Sequence, residues 1–354
     1  MKPRVLVARL DSLGDVLLAG PAVRAVAERA QVVMLCGPRG AAAAHLLPGV
    51  SEVIVWDAPW ISDPAPPVDA DHLDSLVGRL RAARLSEAVI LTSFHQSPLP
   101  LAMLLRVAGV PRISGASVDY PGSLLDVRLR PGEDLPEDIP EPERALAIAD
   151  AAGFPCRDDG RLRIQPVPEA SALTGSAPYI VLHPGAAVPA RQWPVTGFAG
   201  AARLLTEQGR RVVVTGGSDE RLLTRAVVRE APGAVDLAGA CTLPQLAGVL
   251  AGASVVIVGN TGPAHLAAAV GTPIVSLFSP VVPAERWRPY GVPQRLLGDQ
   301  TAPCRGSRAR VCPVPGHPCL AGVSAQAVVA AALDLEAARG GETIASSPTK
   351  GALR

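Results

Sequence analysis

The chain has 354 residues, 48% hydrophobic and 18% charged, so material for a core is ample and global disorder is excluded. Lys and Arg number 33 against 32 Asp and Glu, a net charge of +1. This argues against a nucleic-acid binder, which needs a concentrated positive surface. From the N-terminus, Arg4–Arg9 reads as a buried strand and Asp15–Arg29 as the helix after it. Strands follow at Gln31–Cys36 and Glu52–Trp56, then a Pro- and Asp-rich loop over Asp57–Asp71. Next come a helix at His72–Arg84, a strand at Glu87–Leu91 and a helix at Pro98–Ala108. Pro131–Pro142 is rich in proline and acid and precedes a helix at Glu143–Ala152. A Pro/Ser/Gly stretch spans Pro166–Pro178.

A second series then begins. Strands are predicted at Tyr179–His183, Arg211–Thr215, Ser254–Val258 and Pro273–Phe278. Helices are predicted at Val195–Glu207, Asp219–Glu230, Leu243–Leu250 and Gly262–Ala269. Alternating strands and helices imply parallel sheets covered on both faces. The fold class is therefore α/β, with two Rossmann-like doubly wound domains over residues 1–165 and 179–339. A linker is expected at 166–178, and a disordered tail at 340–354. Such sheets bind ligands beyond the carboxyl ends of their strands, so the active site is expected in a cleft between the domains. Arg9, Asp11 and Asp15 interrupt the first apolar run too early for a signal peptide. Gly271, Pro273 and Pro280 break the longest apolar stretch. A cytoplasmic location is expected, with contact at a membrane surface left open.

Four strand-to-helix turns carry candidate chemistry. In Leu10–Val16 (LDSLGDV), Gly14 permits a tight turn and Asp15 stands in the first helical turn. There Asp15 serves either as a helix cap, a role Ser12 also fits, or as a carboxylate able to take a proton from a hydroxyl. In Gly259–His265 (GNTGPAH), the N–H groups of Thr261 and Gly262 can receive a diphosphate, unless the turn is simply well capped. His265, a turn further in, is either a phosphate contact or a packing histidine. In His183–Pro194, Gly185 lies in a small-residue loop whose one cation is Arg191, a group suited to a leaving phosphate. In Gly216–Glu220, an acidic pair opens a helix, where it either caps or bonds ribose or sugar hydroxyls. Cys304, Cys312 and Cys319 with His317 lack paired C-x-x-C spacing. No metal is assigned, and these four are the candidates if one exists.

Together these segments resemble glycosyltransferase family 9, the ADP-heptose:lipopolysaccharide heptosyltransferase family. The resemblance runs in order through Arg4–Val26, Ser93–Gly115, Tyr179–Pro194 and Gly259–Gly291. It implies the GT-B fold and an inverting transfer of a sugar from a nucleotide diphosphate, without metal or other cofactor. Heptose from ADP-heptose is the expected donor, and a glycan or small molecule the expected acceptor, in a monomeric protein. Asp15 and Arg191 are implied as catalytic residues. Asn260, Thr261, Gly262, His265, Gly185 and Glu220 are implied on the donor side. Arg9, Ser12, Gly14, His95 and Gln96 are implied on the acceptor side. The chain departs from the family where Asn260 replaces a common aspartate, Arg191 a common lysine and Ser307 a cysteine. The alternatives are a degenerate nucleotide-sugar-binding member and a GT-B-like NDP-sugar epimerase.

Overall fold

Two six-stranded parallel sheets organise the chain. The computed structural model describes residues 2–175 and 178–345. One unit runs to Pro166 and also takes Glu285–Tyr290; the other takes Val167–Ala284 and the chain from Gly291 onward. Residues 285–290, counted with the C-terminal domain in the sequence reading, thus pack with the first unit.

In the first unit the strands are β1 (Arg4–Arg9), β2 (Gln31–Cys36), β3 (Val50–Val55), β4 (Glu87–Ile90), β5 (Ile113–Ala116) and β6 (Val127–Leu129). Their order is β3-β2-β1-β4-β5-β6. In the second unit they are β7 (Tyr179–His183), β8 (Arg211–Val214), β9 (Val235–Asp236), β10 (Val255–Gly259), β11 (Ile274–Leu277) and β12 (Gln294–Leu297). Their order is β12-β11-β10-β7-β8-β9, which is the same doubly wound pattern repeated. Chain order reverses between β1 and β4 in one sheet and between β7 and β10 in the other. Register fixes those central pairs: Ala8 lies between Leu35 and Ile90, and Leu182 between Val214 and Ile257.

The central strands are buried on both faces, which is why they read as unbroken apolar runs rather than alternating ones. Leu6, Ala8, Leu35, Ile90 and Leu105 share one core; Leu182, Phe198, Val214, Ile257 and Leu277 share the other. Each such side chain contributes roughly 1.5–3 kcal/mol on burial. Trp193 closes the second core from above. It meets Phe198 edge-on at 4.9 Å, and its indole N–H donates to the Val323 carbonyl at 3.1 Å.

Several boundaries differ from those predicted. The helix expected over Asp15–Arg29 is two helices, Leu13–Leu18 and Gly20–Ala27. Pro21 lacks an N–H and interrupts the ladder at their junction. The strand expected at Glu52–Trp56 begins at Val50. Strands β5, β6, β9 and β12 span two to four residues each, too short to leave a periodic signal. The linker contains a helical turn at Ser171–Thr174. The last helix, Ala325–Ala345, runs into the expected tail, and residues 346–354 lie outside the described ones. Among the described residues no helix is long and apolar enough to cross a membrane.

Candidate active site

Three of the four turns singled out in the sequence fall at the two reversal points, and Gly216–Glu220 follows β8, next to β7. In the first unit, Asp15 follows β1 and the loop 91–98 follows β4. In the second, the His183 loop follows β7 and Asn260-Thr261-Gly262 follows β10. Doubly wound sheets bind ligands at this position because adjacent connections leave in opposite directions there and open a crevice.

The first unit builds its site around a buried guanidinium. Arg9 ends β1 and is only 3% exposed. Its Nε lies 2.9 Å from Asp11 Oδ2. Nη2 donates to Asp15 Oδ1 at 3.0 Å and to Ser93 Oγ at 2.6 Å, and Nη1 donates to Glu141 Oε2 at 3.1 Å. The other oxygen of Asp15 accepts from the Ser12 hydroxyl at 2.7 Å and from the Ser12 N–H at 3.3 Å. Asp15 is therefore a helix cap and an oriented carboxylate at once, with 21% of its side chain exposed.

Burial raises the Asp11 and Glu141 carboxyls, against the pull of Arg9. Burial also works against the charge on Arg9. Asp11, Glu141 and Asp15 outweigh it, and the guanidinium is held more firmly protonated than usual.

Of the acceptor-side candidates, Arg9 is buried and bonded to carboxylates, Asp15 among them. Gly14 is a buried residue of the first helix, not a turn. Gln96 accepts the Ser93 N–H at 3.1 Å and donates from Nε2 to Asp11, so both ends of its amide brace the loop. His95 is exposed at the loop's tip, edge-on to Phe94 at 5.1 Å. That loop is braced from a distant part of the chain. Arg286 places its guanidinium 3.7 Å above the Phe94 ring and donates to Asp138 at 2.9 Å. The sequence reading missed Glu141 and Arg286, and gave no role of their own to Asp11, inside the first turn, or to Ser93, in the loop with His95 and Gln96. Glu141 was counted with an acidic spacer, and nothing local marks it or Arg286.

The second unit builds a different site. The chain rises from β10 through Asn260 to Thr261, the N-cap of the helix Gly262–Ala269, with Pro263 in its first turn. The Thr261 side chain makes no capping bond to the first turn, where the Ala264 N–H donates to the Thr261 carbonyl at 3.0 Å. Asn260 is 5% exposed, and its Nδ2 has no hydrogen-bond partner. Arg191 ends a single helical turn, Pro189–Arg191. A methyl group on Gly259 would come within 3.0 Å of the Arg191 carbonyl oxygen, so glycine there allows the two motifs to meet. His265 is buried inside its helix.

The Glu220 carboxylate packs onto Gly185, accepts the Gly217 N–H at 2.7 Å and lies 3.8 Å from His183 Nε2. His183 Nδ1 is 3.0 Å from the Thr215 hydroxyl. Burial lowers the His183 imidazole against the opposing pull of Glu220, which favours the neutral ring.

The cysteine candidates do not converge on a metal. Cys304 and Cys319 are part of the second core, and His317 Nε2 lies 3.1 Å from the Ala190 carbonyl oxygen. Burial and the neighbouring Cys319 push the Cys304 thiol up to about 11. Among the described residues no three His, Cys, Asp or Glu side chains form a metal-holding group.

Known proteins resemble this chain in sequence and fold. The family model for glycosyltransferase family 9 (heptosyltransferase) matches residues 138–316. The lipooligosaccharide heptosyltransferase 2 of Haemophilus influenzae is 31% identical over 119 residues, 32% of this chain and 34% of that protein. The lipopolysaccharide heptosyltransferase 2 of Escherichia coli K12 is 27% identical over 225 residues, 58% of this chain and 62% of that protein. The chain thus spans between about a third and three fifths of these relatives. The structure of E. coli ADP-heptose lps heptosyltransferase II superposes with a TM-score of 0.74 at 21% identity, covering 95% of this chain and 99% of that one. The family 9 glycosyl transferase of Veillonella parvula gives 0.77 at 18% identity, covering 95% and 98%. The fold is that of the GT-B heptosyltransferases, and the chain belongs to glycosyltransferase family 9.

Proposed function

We propose that this protein transfers a sugar, heptose from ADP-heptose, to a hydroxyl of a glycan acceptor with inversion at the anomeric carbon. Asp15 takes the proton from the attacking hydroxyl, whose oxygen bonds to the anomeric carbon as the bond to the diphosphate breaks. The departing diphosphate gathers negative charge. Arg191 and the first-turn amides of Thr261 and Gly262 supply the opposing potential, so the reaction needs no divalent ion. A single displacement with one base inverts the centre. Asn260 offers an N–H to the donor, and His265 lies one turn behind it. His95 lines the acceptor side. The protein works as a cytoplasmic monomer. In support, E. coli heptosyltransferase WaaC has been solved with ADP and with ADP-2-deoxy-2-fluoro heptose.

The observation that carries this reading is the Asp15 carboxylate, oriented through both oxygens at a sheet reversal point yet still partly exposed. The test is to mix purified protein with ADP-, GDP-, UDP- and dTDP-sugars and lipopolysaccharide-core acceptors, and to follow nucleotide release and the anomeric configuration of the product. ADP release with an inverted glycoside is the expected result. Saturable donor binding without release would show a binding protein, and a C2-epimerised sugar would show an epimerase.

A further inference from the structure

We propose that Glu141 is a positioning residue that, acting through Arg9, holds the Asp15 carboxylate in place and keeps it basic. The inference rests on the reading of Asp15 as the base and names what sets its strength.

The argument begins with the guanidinium. Arg9 is in contact with three carboxylates from different places in the fold. Asp11 is in the loop after β1, Asp15 is in the helix that follows, and Glu141 opens the helix Glu141–Ala151. Glu141 is 132 positions from Arg9 in sequence and only 2% exposed. Ser93 links the same pair a second time: its hydroxyl accepts from Arg9 Nη2 at 2.6 Å and donates to Glu141 Oε2 at 3.3 Å. Burying a carboxylate is costly, and one buried only to neutralise Arg9 would duplicate Asp11.

A third anion does something the second cannot. A guanidinium shared among three carboxylates presents less positive potential to each. Glu141 is also close enough to interact with Asp15 directly as a like charge. Both effects raise the proton affinity of Asp15, which general-base catalysis uses. Fixing Nη1 on Glu141 also fixes the plane of the guanidinium, and so the direction from which Nη2 meets Asp15. The other charges facing this cluster are Arg39, toward Asp11, and Arg144, toward Glu141, with Arg286 and Glu137 beyond Arg144. Arg144 is itself held by a bond from its Nε to the Thr92 carbonyl at 3.1 Å.

The test is a carboxyl-carbon NMR titration of the full chain labelled with 13C at aspartate, the Asp15 resonance being assigned with Asp15→Asn. In Glu141→Gln the Asp15 midpoint should fall by about one pH unit. Turnover should fall about tenfold with the donor KM little changed. In Glu141→Asp the charge remains but withdraws by one methylene, and a smaller downward shift is expected. An Asp15 midpoint identical in wild type and Glu141→Gln overturns the proposal. Should the Gln variant not fold, an unmoved midpoint in Glu141→Asp overturns it equally. A midpoint that moves in a protein that transfers no sugar upholds this inference and removes the proposed function. Transfer that persists with a static midpoint does the reverse.

Discussion

The two sheets have one topology and place opposite chemistry at the same point. Where β1 and β4 diverge, Arg9, Asp11, Asp15, Ser93, Gln96 and Glu141 are bonded to one another, and Asp15 combines fixed geometry with partial exposure. Where β7 and β10 diverge, Arg191 is the nearby cation and Asn260 Nδ2 is a buried donor with no hydrogen-bond partner. The first arrangement fixes a carboxylate and the second leaves a buried donor unpaired. A strand order therefore specifies where a site lies, while the residues at the turn decide what it can do.

The largest test of that contrast is Asp15→Asn. Turnover should fall by about 10²–10⁴-fold, with donor affinity by calorimetry unchanged; a parallel loss of affinity would make Asp15 part of the donor site. Next is Arg9→Met, which strands three carboxylates in a buried place. Urea unfolding should show a loss of about 3–5 kcal/mol, whereas Asn260→Ala should stay within about 1 kcal/mol of wild type. Equal effects would erase the distinction between an interlocked site and an open one. Arg191→Ala should weaken donor binding by about 10–100-fold through loss of a charge-assisted bond and should lower turnover with it; unchanged binding would remove Arg191 from the site.

The smallest effect is one of sign. The Glu141 carboxyl is raised by burial, so the folded state binds its proton first, and stability is gained as pH falls through that raised value toward the ordinary 4.5. The His183 imidazole is lowered by burial, so stability is lost as pH falls below its ordinary 6.5 toward the folded value. Protection factors from hydrogen exchange, corrected for the intrinsic pH dependence of the amides, should therefore rise around β1 and β4 and fall around β7 and β10 from neutral to mildly acidic pH. His183→Asn should abolish only the second trend.

Much of this was legible in the chain itself, for identifiable reasons. Strands such as Tyr179–His183 are buried on both faces and advertise themselves as apolar runs, and Asn260-Thr261-Gly262-Pro263 announces a helix start by composition. The distant partner of Arg9 could not be found this way. Glu141 meets it across 132 residues, and a glutamate after Pro140 looks like any solvated acid. At Glu220 the local pattern left capping and a ligand contact open; the carboxylate accepts the Gly217 N–H three residues back, as a cap does, and its packing onto Gly185 is the part no local pattern encodes. Gly14 was read as a turn because glycine permits one, and here it packs inside a helix.

The segment Glu285–Tyr290 bears on how interchangeable the halves are. It arises late in the chain yet belongs to the first unit, where Arg286 covers Phe94 and pairs with Asp138, and the Tyr290 hydroxyl donates to Glu143 at 3.1 Å. A chimera that grafts only the residues up to Pro166 onto another member of the family would leave those partners bare. Acceptor preference, if it resides in the first unit, is therefore not a cassette bounded by a single splice point, and the short return segment must travel with it.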